Sequence, residues 1–153
     1  MMERTRAIER MRGICSRKEC CRQEIAAKLE KLEVEDVSGA VEQLCKEGFI
    51  DEGRYARAFA RDKSSLQGWG SLKIKLALQR RGIDSDVISS ALGEIDSDAA
   101  SAKLESLLRA KLRTLRKEED AAAVRAKVLR YALGRGYGYE QINKVYNDII
   151  RTD

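Results

Sequence analysis

Three arginines carry the clearest chemistry in the sequence. Arg54, Arg57 and Arg61 follow one another at intervals of three and four residues, which places them along one side of an α-helix. A guanidinium group presents several N–H donors in one plane, and it binds carboxylates and phosphates through paired hydrogen bonds. The only acid on that side within one turn is Asp51, at its start. The pattern indicates a basic surface for an acidic partner, although solvated helix surfaces with ion pairs show similar patterns.

Catalytic chemistry is poorly represented elsewhere in the chain. There is no histidine, which removes the commonest general base and the commonest metal ligand. No GxxxxGK[ST] phosphate loop occurs, and the glycines at 134, 136 and 138 lie between two helical patterns rather than after a strand. These observations argue against an enzyme, a bound cofactor and a small-molecule substrate.

The cysteines are the remaining reactive side chains. Their spacing contains no CxxC pair, and two adjacent cysteines are poorly placed to bind one tetrahedral metal ion. We therefore expect free thiols, buried or half-buried, with neither a metal site nor a required disulfide. The residues are Cys15, Cys20, Cys21 and Cys45.

One helix must hold the three arginines. Asp51 follows an apolar pair and is well placed to cap the N-terminus of a helix that runs to about Leu66. Tyr55, Phe59 and Leu66 recur at helical spacing, so we expect them to form the buried stripe opposite the arginines. Three alanines fill the rest of this helix with the residue of highest helix propensity.

The other elements are also expected to be helices. Apolar residues recur with helical rather than strand periodicity in nine segments, and the chain has no proline to break them. Ser16 and Glu19 have the spacing of a capping box for the second helix. Between the fourth and fifth helices lies a turn, Gly68-Trp69-Gly70. Trp69 is suited either to stacking on a base or partner side chain or to filling the space between helical units.

A weak internal repeat with a period of about 50 residues indicates a tandem helical array. In two of its copies an Arg-Gly pair precedes the last apolar position, namely Arg81-Gly82 and Arg135-Gly136. The first copy lacks that glycine, so we expect a different connection there. The three copies are Ile25-x3-Leu29-x4-Val34, Ile74-x3-Leu78-x4-Ile83 and Val128-x3-Ala132-x4-Tyr137. A single irregular helical bundle predicts the same secondary structure.

The run from Gly48 to Phe59, read as Gly-Phe-Ile-Asp-Glu-x-Arg-Tyr-Ala-x-x-Phe, resembles the signature of the RecX family of bacterial RecA regulators. The resemblance is specific over residues 45 to 92 and looser elsewhere. It implies an all-α fold, an elongated and curved tandem array of three three-helix units with helix-turn-helix-like repeats. We place these units at residues 1–50, 51–95 and 96–153.

The same resemblance implies a function. RecX-like proteins lodge in the groove of the RecA–single-stranded DNA filament and hinder nucleotide turnover, filament growth and strand exchange. It therefore implies a negative regulator of homologous recombination and DNA repair, with the single-stranded DNA backbone as a second contact. From the helical segments themselves we expect a monomer. The alternative from the residues alone is a helical protein that binds DNA non-specifically through its phosphates.

Charge alternates along the chain in blocks, so a formal net charge of +5 conceals strongly basic helices. The stretch from Arg54 to Gly82 holds eight basic residues and one acid. A second basic block begins at Arg109. The candidate partner-binding residues are Arg54, Arg57, Arg61, Lys63, Lys73, Arg80, Arg81, Arg109, Arg113 and Arg116.

The sequence also bears on location. Its first residues are charged and lack the apolar segment of a secretory signal. No apolar run approaches the length that crosses a membrane. We therefore expect a cytoplasmic protein without a membrane partner.

Overall fold

The computed structural model describes residues 1–152, which form nine α-helices and no β-strand. The predicted all-α fold is thereby confirmed. The helices are α1 (Arg4–Arg17), α2 (Arg22–Lys31), α3 (Val37–Lys46), α4 (Glu52–Ser65), α5 (Ser71–Arg80), α6 (Ser85–Gly93), α7 (Ser97–Thr114), α8 (Ala121–Gly134) and α9 (Tyr139–Thr152).

The chain divides into two compact units. Unit 1 comprises Met1–Ala58 and Leu78–Ala91, and unit 2 comprises Phe59–Ala77 and the chain from Leu92 onward. Helices α4, α5 and α6 each contribute residues to both units because the divisions fall inside them.

Unit 1 is built around α1, α2 and α3. Helix α3 packs against both α1 and α2, and the apolar stripes of the three helices form one core. The Nε and Nη2 atoms of Arg12 on α1 donate to the carboxylate of Glu47 at distances of 3.0 and 2.7 Å. Hydrogen bonding to this arginine lowers the pKa of Glu47. The core residues include Ile8, Met11, Ile25, Leu29, Val41 and Leu44.

The start of α2 differs from the prediction. Ser16 lies within the last turn of α1, where its hydroxyl donates to the carbonyl of Arg12 at 2.7 Å. It therefore does not cap α2, whose N-cap residue is Cys21. The carboxylate of Glu52 instead accepts from the backbone N–H of Arg22 at 3.0 Å. A carboxylate from another helix thus satisfies one of the free N–H groups at this helix start.

Unit 2 has its core among α7, α8 and α9, each of which packs against the other two. The buried side of α9 consists of Ile142, Val145, Tyr146 and Ile149, as the periodicity predicts. Arg125 on α8 donates to the side-chain oxygens of Asn143 and Asn147 on α9, which fixes the pairing of these two helices. The buried core residues are Leu104, Leu108, Val128, Ala132, Tyr137, Ile142, Val145, Tyr146 and Ile149.

All three copies of the internal repeat end a helix in the same way. The N–H of the last apolar residue donates to the carbonyl five residues earlier, at 3.3 Å for Val34, 3.2 Å for Ile83 and 3.2 Å for Tyr137. The preceding residue donates to the carbonyl three residues before it. This pair of bonds is the Schellman motif, which requires a left-handed residue just before the apolar one.

Glu33 supplies that left-handed residue in the first copy, with φ of 55°. Gly82 and Gly136 supply it in the other two, with φ of 74° and 97°. The expectation of a different connection was therefore wrong. The Schellman bonds and the burial of Val34 hold Glu33 in a conformation that costs a non-glycine residue about 1 kcal/mol or more.

Helix α4 buries only part of the predicted stripe. Tyr55 is buried, but Leu66 is 75% exposed and follows the last residue of the helix. The fully buried positions are Ala56 and Ala60, and Phe59 is half-buried. Alanines therefore share the buried face of α4 with Tyr55.

Candidate partner-binding surface

The first turn of α4 sets the position of the arginines. The Oδ1 atom of Asp51 accepts from the backbone N–H of Arg54 at 3.0 Å, which confirms the predicted cap. This hydrogen bond is the main reason why the pKa of Asp51 is lowered, with the nearby charge of Arg54 as a further cause. Asp51 thus keeps its charge and holds the helix start that carries Arg54 and Arg57.

Arg54 makes several contacts within unit 1. Its Nε lies 3.1 Å from both carboxylate oxygens of Glu19, and its Nη2 donates to the carbonyl of Gly48 at 2.9 Å. Asp51 at the start of α4 is the acid within one turn, and the structure adds Glu19, which comes from the segment between α1 and α2 and which spacing along one helix does not reveal. Arg54 therefore ties α4 to the end of α1.

The next two arginines of the row remain on the surface. Arg57 is exposed, and its Nη1 would lie 3.2 Å from a Cβ built on Gly53 in the first turn. Arg61 is 72% exposed on its side chain and its Nε lies 3.8 Å from the neighbouring Asp62. An ion pair at that distance and exposure is weak, because solvent screens it. Both residues are exposed on the surface of α4.

Arg80 and Arg81 separate in the structure. Arg80 is exposed at the end of α5, whereas the Nε of Arg81 lies 4.0 Å from Glu24 in unit 1. The same Glu24 carboxylate accepts from the hydroxyl of Tyr55 at 2.9 Å. Burial and this hydrogen bond raise the pKa of Tyr55. Arg81 thus belongs to a polar contact between α2, α4 and the end of α5.

The arginines at and after the middle of α7 also divide into one with an acidic partner and two that are exposed. The Nε of Arg109 lies 3.4 Å from Glu105 one turn earlier on α7. Arg113 is exposed in the last turn, and Arg116 is exposed beyond the end of the helix. Only Arg109 and Arg113 therefore lie on α7, and Arg116 does not continue their helical row.

Lys63 and Lys73 meet at the only tryptophan of the chain. Their Nζ atoms lie 4.7 and 4.4 Å from the centroid of the Trp69 ring. Phe59 meets the same indole edge-on, with ring centroids 6.2 Å apart, and Lys63 also lies 5.4 Å from the Phe59 centroid. The backbone N–H of Trp69 donates to the carbonyl of Lys63 at 2.9 Å. Cation–π attraction holds both ammonium groups at one half-buried indole.

Two further cations lie beside the same turn, and neither was a candidate from the sequence. A Cβ built on Gly68 would lie 3.1 Å from Nη2 of Arg135 and 3.3 Å from Cε of Lys103. Arg135 also donates to the carbonyl of Gln67. We call the six side chains of Phe59, Lys63, Trp69, Lys73, Lys103 and Arg135 the Trp69 cluster. The repeated Arg-Gly pair singled out Arg135, but no sequence signal placed it or Lys103 beside Trp69.

All four cysteines are free thiols in the structure. Burial raises the pKa of the Cys15 thiol to about 12, with the neighbouring Cys20 as a further cause. Within residues 1–152 no group of His, Cys, Asp or Glu side chains is arranged to hold a metal ion. Over the same residues, every helix falls short of the length or the apolar character that a membrane span requires.

Comparison with known proteins gives the family. The model of the RecX second three-helix domain matches residues 51–92, and that of the RecX third three-helix domain matches residues 100–146. The regulatory protein RecX of Clostridium botulinum (strain Eklund 17B) is 33% identical over 126 residues. That match covers 82% of this chain but only 58% of the relative's length. The regulatory protein RecX of Mycobacterium ulcerans (strain Agy99) is 31% identical over 135 residues, covering 84% of this chain and 78% of that one.

Solved structures agree with the fold. The crystal structure of RecX from Lactobacillus salivarius superimposes with a TM-score of 0.84 at 21% identity, covering 95% of both chains. A crystal structure of regulatory protein RecX gives a TM-score of 0.85 at 19% identity and covers 94% of this chain and 71% of that one. The helices and their shared Schellman ends define a helical-repeat protein built from three-helix domains. The chain belongs to the RecX family, as the motif from Gly48 to Phe59 indicated.

Proposed function

We propose that this protein is a negative regulator of homologous recombination and DNA repair. In this proposal it binds the groove of the RecA–single-stranded DNA filament and inhibits RecA ATPase and strand exchange. It acts by binding alone, as a monomer without cofactor or catalytic step. The observation that carries the proposal is membership of a family whose relatives are named regulatory proteins.

The surface of α4 supports a direct contact with an acidic partner. Arg57 and Arg61 are exposed one turn apart on the same helix, so a partner that carries carboxylates or phosphates can approach this side of α4. Arg54 supports this surface indirectly, since its contacts with Glu19 and Gly48 fix the start of the helix. We therefore assign partner contact to Arg57 and Arg61 and a positioning role to Arg54.

The remaining candidates divide on the same grounds. We propose that exposed Arg80, Arg113 and Arg116 extend the contact, while Arg81 and Arg109 act mainly through their acidic neighbours. We also propose that the chain is organised as three three-helix units at 1–50, 51–95 and 96–153. The two matched three-helix domains, at 51–92 and 100–146, support the second and third of these.

The test is RecA ATPase on single-stranded DNA, titrated with wild-type protein and with the R57A/R61A double variant. We expect wild-type protein to inhibit turnover and the double variant to require at least about tenfold more protein, on the order of 1.4 kcal/mol of binding. The R6A/R10A variant is a matched control, since Arg6 and Arg10 are also exposed arginines four residues apart on one helix.

Absence of inhibition by saturating wild-type protein would contradict the proposed function. Equal inhibition by folded R57A/R61A and wild-type protein would remove the α4 surface from the contact and leave the function in place. The R113A/R116A variant then tests the second basic row.

A further inference from the structure

The Trp69 cluster concentrates positive charge in unit 2. The ammonium groups of Lys63 and Lys73 both lie within 5 Å of one ring centroid. They are therefore closer together than the distance of about 10 Å over which 0.1 M salt screens charge. Salt therefore screens their repulsion only in part, and the attraction to the indole offsets some of the rest.

Acidic side chains do not neutralise this charge. Within residues 1–152, Lys63, Lys73 and Lys103 make no ion pair with a carboxylate. Helix α5, which carries Lys73, contains no acidic residue. The cluster contrasts with Lys127 in the same unit, whose Nζ lies 3.0 Å from Glu118. Uncompensated cations held together on a protein surface favour an anionic ligand.

We propose that the Trp69 cluster binds the phosphodiester backbone of single-stranded DNA. Each nucleotide of a nucleic-acid strand carries one phosphate charge, so successive phosphates can meet Lys63 and Lys73 together and Lys103 beside them. Half-buried Trp69 and Phe59 provide aromatic surface at the same place, where bases stack without regard to sequence. This combination of lysines and aromatic rings favours a nucleic-acid strand over an acidic peptide, which offers no bases to stack.

The inference rests on the proposed function for its setting, because a regulator of the RecA filament meets single-stranded DNA there. Binding is nevertheless measured without RecA. Failure of the wild-type protein to bind the DNA, with its inhibition of RecA ATPase intact, would overturn this inference alone. Intact DNA binding without inhibition would overturn the proposed function alone.

Trp69 is the only tryptophan of the chain, so intrinsic tryptophan fluorescence probes this site directly. A dT oligonucleotide titrated into the protein should change the tryptophan fluorescence in a saturable manner. Affinity of the same labelled oligonucleotide, measured by anisotropy at several salt concentrations, gives the number of phosphates contacted. For single-stranded DNA, the slope of log affinity against log salt decreases in magnitude by about 0.7 for each phosphate contact that is removed.

The K63Q/K73Q variant should therefore reduce the magnitude of that slope by about 1.4. The matched control is K111Q/K127Q, which removes the same charge from the same unit. Lys111 also lies over an aromatic ring, 5.3 Å from the centroid of Tyr131, and Lys127 already has an acidic partner. The control should leave the slope unchanged. If the double variant is unfolded by circular dichroism, the single variants K63Q and K73Q should each reduce the slope by about 0.7.

Three results would overturn the inference. The first is a fluorescence signal that does not respond to the oligonucleotide. The second is an equal loss of slope in the control and in the cluster variants. The third is polyglutamate binding as tightly as the oligonucleotide at matched ionic strength, which would assign the cluster to acidic protein surfaces instead.

Discussion

Gly70 and Gly136 lie in direct backbone contact within unit 2, and neither position has room for a side chain. A Cβ built on Gly70 would lie 2.4 Å from the backbone of Gly136, and one built on Gly136 would lie 2.3 Å from the Cβ of Lys73. Two hydrogen bonds hold the segments together, from Gly70 N–H to Arg135 O at 2.8 Å and from Leu72 N–H to Gly136 O at 3.0 Å. The start of α5 is thereby fixed to the turn after α8, and with it Lys73 and Arg135 of the Trp69 cluster.

Replacing Gly136 by alanine should be strongly destabilising. The new methyl group meets the Lys73 side chain and backbone, and φ of 97° is unfavourable for any residue with a Cβ. Overpacking of about 1–3 kcal/mol adds to a left-handed backbone cost of about 1–2 kcal/mol. Urea unfolding measures the loss. G138A is the control, since a Cβ there has nothing within 4 Å, and equal stability of the two variants would contradict the close contact.

Replacing Glu33 by glycine should stabilise the protein. Glu33 has φ of 55° at the place where the other two repeats use glycine, so the substitution removes a backbone cost of about 1 kcal/mol. Part of this gain is lost to the greater freedom of glycine in the unfolded chain. E33A removes the same carboxylate but keeps the Cβ, and it should give no gain. Thermal unfolding of E33G below that of E33A would show that the strain is absent.

Arg54 should be more important for stability than Arg61. Arg54 and Glu19 are each about one-third to two-fifths exposed on their side chains, so their coupling is discounted for solvent screening. A double-mutant cycle with R54A, E19A and the double variant should give a coupling of about 0.5–1 kcal/mol. R61A should change the unfolding free energy by less than about 0.5 kcal/mol. A coupling of zero would mean that the Arg54 contacts with Glu19 do not persist in solution.

The buried thiols should make stability fall at alkaline pH. The pKa of Cys15 is raised to about 12 by burial and by Cys20, against about 8.5 for an unfolded cysteine. The stabilisation linked to this thiol is therefore complete below about pH 8.5 and is lost as the pH rises toward 12. Urea unfolding at pH 8 and pH 10 should show the decrease, and C15A should show a smaller one. Equal decreases in C15A and wild type would exclude Cys15 as its source.

Helix identity could be read from the sequence because it depends on local periodicity. The burial of Ile142, Val145 and Ile149 on α9 follows directly from their spacing. Asp51 caps α4 as predicted because a cap bond reaches only three residues along the chain. The family could be read for the same reason, since the run from Gly48 to Phe59 is contiguous.

The predictions of helix faces and caps were wrong where residues distant in the sequence compete with local ones. The sequence placed Leu66 inward by spacing alone, but α4 ends before it, and Ala56 and Ala60 are buried instead. Ser16 had a suitable spacing to Glu19, yet Glu19 is used by Arg54 from 35 residues away. Residue spacing predicts local partners only, so it cannot show that a distant residue will bind the same side chain.

The sequence by itself determined the helical fold, the family, the repeated apolar positions and the basic character of the α4–α5 region. These follow from short-range periodicity, contiguous motifs and charge content. The tertiary structure alone decided which cations act together. Arg54 pairs with Glu19. Four cations from separate parts of the chain lie beside the Trp69 turn, namely Lys63, Lys73, Lys103 and Arg135. Charge is a property of each residue, but its neutralisation or concentration depends on distances that only folding sets.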